Sequence, residues 1–96
     1  MKGYQIKKIV NKYYGVDLNS NCRSLKYMRP RQVAQYLCRL YTNLSYQQIA
    51  YLYGNTDHTT ILNNIRKVES LWLKDIGVTR DLLIFETIFE GLGVKK

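Results

Sequence analysis

Apolar residues recur at spacings of three and four along most of the chain, and nowhere do they alternate at the period of two that a half-buried strand needs. The pattern predicts an all-α fold. A first helix is expected from about Tyr4 to Tyr14, with Ile6, Ile9, Val10 and Tyr13 on one stripe, Lys7, Lys8 and Lys12 off it, and Gly15 as its stop. Val16 to Met28 reads as a loop. Pro30 then suits a first helical turn, where no N–H donor is needed, and Val33, Tyr36, Leu37, Leu40 and Tyr41 carry an apolar face to about Thr42. Ser45-Tyr46-Gln47-Gln48 has the form of a capping box opening a short helix that buries Ile49, Leu52 and Tyr53 and ends at Gly54.

Gly54-Asn55-Thr56-Asp57 has the length of the turn in a helix-turn-helix, and either Thr56 or Asp57 can cap the fourth helix. In that helix Ile61, Ile65, Val68 and Trp72 fall on one stripe flanked by Leu62 and Leu71, while Thr59, Asn63, Arg66 and Ser70 fall opposite. Gly77 interrupts the chain. Thr79 is the expected cap of a final helix with a wide apolar face (Leu82, Leu83, Phe85, Ile88, Phe89, Leu92) and the acids Asp81, Glu86 and Glu90. That face is read as core, or else as a dimer or partner surface.

The 96 residues suffice for one domain with a modest core, and a single domain spanning 1–96 is expected. The net charge of +8 is unevenly distributed: residues 1–40 hold nine Lys and Arg against Asp17 alone, while six bases and six acids balance in the remainder. Such localisation fits a face that tracks phosphates better than a generally solvated surface. Cys22 and Cys38 are too far apart for a Cys-x-x-Cys pair and His58 is the sole histidine, so no metal site or other cofactor is expected. Both cysteines are read as reduced thiols, Cys38 buried in a helix and Cys22 in a loop. Apolar runs such as Leu82 to Phe85 are far too short to span a bilayer. With no membrane segment or signal peptide in view, a cytoplasmic, nucleoid-associated location is expected.

The start of the fourth helix carries the most chemistry. Its outward face is small and polar first, then cationic at Arg66 and Lys67, which lets a helix sit deep in a major groove while the cations approach phosphates. An Asp57 carboxylate can accept from cytosine N4, a His58 nitrogen can donate to purine N7, and the Thr59 methyl can pack on a thymine methyl. Each has a plainer role open to it: Asp57 as a helix cap, His58 as a packed imidazole near the core edge, and Arg23 as an ordinary loop cation.

From about Gln5 to Leu92 the chain resembles the C-terminal DNA-binding domain of the bacterial replication initiator DnaA. The resemblance rests on Tyr13-Tyr14, Arg29-Pro30-Arg31-Gln32, Ser45, and Asp57-His58-Thr59-Thr60 followed by Arg66-Lys67. It implies an all-α domain of about six helices that binds a short asymmetric duplex box as a monomer. It implies base contacts by Arg23 in the minor groove and by Asp57, His58 and Thr59 in the major groove. Arg31, Gln32, Arg39, Tyr46, Gln47, Thr60 and Asn63 match positions used mainly for the DNA backbone, and basic Arg29, Arg66 and Lys67 join them as phosphate contacts. A guanidinium at Arg23 would suit the negative potential of a narrow A·T-rich groove. Two departures stand out. Thr56 replaces the arginine that usually precedes the Asp, and the loop between Tyr14 and Arg29 is shorter and less arginine-rich.

No Gly-x-x-x-x-Gly-Lys-Ser/Thr loop and no nucleophile–His–acid set is present, so neither an ATPase nor another enzyme is expected. Met1 leads straight into helix-forming sequence, which suggests a whole gene product, with an excised domain as the alternative; a phage or other mobile element would be a natural owner, though no residue points to one. The leading expectation is a duplex-DNA-binding regulator of replication initiation or transcription, a decoy for a full-length initiator at shared sites or a tether for a replication protein. The competing one is a protein-interaction module, dimeric or bound to a replication protein, with degenerate DNA reading. Nine tyrosines raise single-strand stacking as a third reading, although most fall on apolar stripes.

Overall fold

The computed structural model describes residues 2–15, 25–54 and 57–94. Five helices account for nearly all of them: α1 (Gly3–Tyr14), α2 (Leu25–Tyr41), α3 (Tyr46–Leu52), α4 (His58–Leu71) and α5 (Ile76–Gly91). The described residues thus hold one helix fewer than the six expected from the resemblance, and no strand.

The stripes close on one another around α2, which packs against α1, α3 and α4. Ile6 and Val10 of α1, Val33, Leu37 and Cys38 of α2, Ile49 of α3, Ile61, Ile65 and Val68 of α4, and Phe85 and Phe89 of α5 are all buried. Fully burying a side chain of this kind stabilises the fold by about 1.5–3 kcal/mol. Cys38 is a free, buried thiol, as expected, and burial pushes it up to about 12.

The helix ends are made by local chemistry. Gly15 takes the left-handed conformation (φ 66°) and its N–H returns to the Asn11 carbonyl, a closure that side-chain-bearing residues rarely adopt. Ser45 Oγ accepts from the Gln48 N–H at 3.2 Å while Gln48 Oε1 accepts from the Ser45 N–H at 2.8 Å, forming the expected reciprocal box. Lys7 Nζ donates to the Leu52 carbonyl at 3.0 Å, placing a cation at the end of α3 where free carbonyls favour one.

Three boundaries differ from the expected ones. The second helix includes Leu25 to Met28, which the sequence assigns to a loop, so Pro30 is interior rather than in the first turn. Tertiary burial outweighs the local signal here, since Pro30 itself is buried. The fourth helix ends at Leu71, leaving Trp72 as a partly exposed C-cap rather than a core residue. The last helix starts at Ile76: Asp75 caps it by accepting from the Val78 N–H at 2.9 Å, and Gly77 lies inside its first turn. Thr79, the expected cap, instead accepts at Oγ1 from the N–H of Leu73, whose φ is 66°.

Asp81, one of the three acids of the final helix, is buried. Its carboxylate accepts from the Tyr13 hydroxyl at 2.8 Å and the Tyr14 hydroxyl at 2.7 Å, with Arg80 Nε at 3.5 Å. Burial first, and then the Asp81 hydrogen bond, push both phenols above their ordinary range. Tyr13 also meets Phe85 at 4.8 Å between ring centroids, and Tyr41 meets Phe89 edge-on at 4.7 Å, so aromatic contacts seat α5 on α1 and α2.

Candidate nucleic-acid interface

Helices α3 and α4 form the two arms of a helix-turn-helix; residues 55–56 lie outside the described set. Asp57 is the N-cap of α4: Oδ1 accepts from the Thr59 N–H at 2.8 Å, and that backbone bond is the main reason its carboxyl lies below the usual range. The cap leaves the group accessible, with the side chain 69 % exposed. His58 Nδ1 lies 3.6 Å from the same oxygen, and its side chain is 61 % exposed. The packed-imidazole alternative is therefore overturned; as the first helical residue, His58 lies before the turns that pack on α2.

Thr59, Thr60, Asn63, Arg66 and Lys67 are all exposed on α4. The inner face of the same helix presents buried Ile61, Ile65 and Val68. One amphipathic pattern thus orients the whole polar row outward. At the start of α3, Gln47 is exposed and Tyr46 is half-buried beneath Arg39, whose guanidinium lies 4.6 Å from the ring centroid. Arg39 Nη1 also donates to the Leu44 carbonyl at 2.9 Å, so the cation is held at the entrance to α3.

On α2, Arg29, Arg31 and Gln32 are half-buried. Nη1 of Arg29 is enclosed without a hydrogen-bond partner, a deeper setting than a purely phosphate-facing cation would have. Arg23, Cys22 and Thr56 lie outside the described residues. The described part of the predicted set therefore falls on α2, the start of α3 and the outer half of α4. No group of three or more His, Cys, Asp or Glu side chains that could hold a metal occurs among the described residues.

The sequence pattern gives no warning of Gln35, which is fully buried and accepts at Oε1 from Asn64 Nδ2 at 2.7 Å. Gln35 lies off the Val33–Leu37 stripe that the sequence marks as the apolar face. The available signal is that a helix bordered by three others buries more than one face.

Residues 4–68 match the family described as bacterial dnaA protein helix-turn-helix. The chain belongs to that family. It is 47 % identical over 68 residues to the chromosomal replication initiator protein DnaA of Magnetococcus marinus, covering 68 % of this chain and 15 % of the relative. It is 34 % identical over 90 residues to the protein of that name from Ruegeria pomeroyi, covering 91 % of this chain and 19 % of the relative. A third DnaA, from Dechloromonas aromatica, is 35 % identical over 89 residues, covering 90 % of this chain and 19 % of that protein. The chain thus spans less than a fifth of the DnaA proteins it matches. It is a DnaA-type helix-turn-helix DNA-binding domain, and α5 lies beyond the segment that matches the family. No described helix is long and apolar enough to cross a membrane.

Proposed function

We propose that this chain recognises a short, asymmetric, DnaA-box-like site in duplex DNA, and thereby regulates replication initiation or transcription without ATPase or other catalytic activity. The observation that carries the proposal is the exposed set Asp57, His58 and Thr59 at the start of α4 with Thr60, Asn63, Arg66 and Lys67 along its outer face. Short polar groups come first and reach base edges; cations follow one to two turns later and reach phosphates. In this reading Asp57, His58 and Thr59 contact bases in the major groove and Arg23 enters the minor groove. Arg29, Arg31, Gln32, Arg39, Tyr46, Gln47, Thr60, Asn63, Arg66 and Lys67 hold the sugar-phosphate backbone. The protein acts as a monomer at the nucleoid, sharing sites with a full-length initiator or tethering a replication protein, in a phage-infected host if a phage encodes it.

Selection from a randomised duplex library at near-physiological salt tests this directly. Enrichment of one asymmetric motif is the expected result; failure of a folded protein to enrich any motif would overturn site recognition.

A second reading, a protein-interaction module, is favoured by exposed Leu73, Ile76, Leu83 and Leu92 at and around α5. Under it, light scattering across a concentration series reports a rising mass for homodimerisation, whereas a constant monomer mass removes that form of the reading.

A further inference from the structure

Helix α2 packs against α4, and among the described buried residues of these two helices Gln35 is the one with a polar side chain. Gln35 has no exposed surface, and its Oε1 accepts from Asn64 Nδ2 at 2.7 Å while its own Nε2 is enclosed without a hydrogen-bond partner. An amide in that position is a poor way to gain stability, because desolvating a polar group costs free energy that a partly satisfied pair does not fully return. Its distinguishing property is direction. Val33, Leu37, Ile61, Ile65 and Val68 tolerate small rotations of one helix against the other, whereas a short hydrogen bond between two side-chain amides does not.

The location of Asn64 gives that direction a consequence. At about 100° per residue, Asn64 lies on the flank of α4 between buried Val68 and exposed Thr60 and Lys67. We propose that Gln35 and Asn64 form a positioning pair that fixes the rotation of α4 about its own axis and so sets how well Asp57, His58 and Thr59 discriminate between bases. The inference rests on the duplex-reading function proposed above. A turn of about 15° moves side-chain tips, about 5–6 Å from the axis, by about 1.5 Å. That exceeds the roughly 0.5 Å tolerance of a working recognition constellation. A polar pair that sets register at a cost in stability has precedent in buried asparagines of coiled coils.

The test replaces both amides by side chains of similar shape, Gln35→Met with Asn64→Leu, so that neither polar group is left stranded. Two quantities are compared with the unsubstituted protein: the orientation of α4 in the free domain, from residual dipolar couplings, and the ratio of affinities for the selected duplex and its single-base variants. The double variant is expected to melt no lower than the parent, to show a reoriented α4, and to lose at least about five-fold in discrimination while keeping its salt dependence. The exchanged pair Gln35→Asn with Asn64→Gln, which retains the combined reach, is expected to recover part of the discrimination. Should the double variant fail to fold, the exchanged pair carries the same two readouts. An unmoved α4 overturns the proposal, as does full discrimination after α4 has moved. A reoriented α4 in a domain whose parent discriminates among no duplexes leaves the positioning role intact and refutes the DNA reading instead.

Discussion

The outer face of α4 and the α5 side of the molecule are built on opposite principles. From His58 to Lys67 the exposed side chains of α4 are short and polar or cationic, and the Asp57 cap ties the helix start. On the α5 side a buried carboxylate draws in two tyrosine hydroxyls, Phe85 and Phe89 are fully buried, and large apolar groups such as Ile76 remain exposed. The difference separates tasks. One surface leaves its polar groups available to an external partner, whereas the other spends them internally to secure the helix that lies beyond the family match.

Substitutions sharpen this contrast, beginning with the largest effect. Phe85→Ala empties space between α5 and the Tyr13–Tyr14 pair and is expected to cost about 3–5 kcal/mol in urea denaturation. Tyr14→Phe removes one of the two hydroxyls on Asp81 and is expected to cost about 1.5 kcal/mol by the same measurement. It should also flatten the alkaline arm of stability. Tyr14, Tyr53 and Cys38 all have acidities pushed upward by burial, so the native state holds these protons after the unfolded chain, at 10.0 and 9.0, begins to release them. Their contribution is complete below about pH 9 and declines as pH rises toward 12. Melting temperatures from pH 7 to 11 should fall at the alkaline end, and less steeply in Tyr14→Phe.

Ser45→Ala breaks the capping box of α3 and is expected to cost about 1 kcal/mol, read from the denaturation midpoint. Thr59→Ala, at an exposed position, should change stability by less than about 0.5 kcal/mol while relaxing preference at one base pair. Arg31→Ala should instead weaken all duplexes alike and reduce the slope of log K against log salt by about 0.9. Identical DNA-binding profiles for Thr59→Ala and Arg31→Ala would break the division between base and phosphate contacts.

Much of this architecture is legible from local pattern. The period of three and four locates the α1 and α4 stripes, Gly15 marks a helix end, and Ser45 with Gln48 announces a cap that the structure contains. These signals act within one or two turns. What escapes them depends on distant partners: Asp81 meets tyrosines 67 and 68 positions away, and Gln35 meets Asn64 29 positions away. A wheel drawn for one helix cannot show how many neighbours surround it, so neither burial is announced by its own helix. Pro30 and Thr79 mislead for a related reason, since each carries a strong local terminus signal that packing or a nearby Asp overrides. The exposed positions at the start and on the outer face of α4 follow the sequence pattern residue by residue, and His58 is open to solvent, which removes only its plainer reading as a packed imidazole.

The most direct measurement is amide-resonance mapping of the isotope-labelled chain titrated with its selected duplex. The account predicts that shifts concentrate at 57–67 and at the entrance to α3, with the outer face of α5 unchanged. Shifts centred on Ile76, Leu83 and Leu92, with α4 silent, would contradict it.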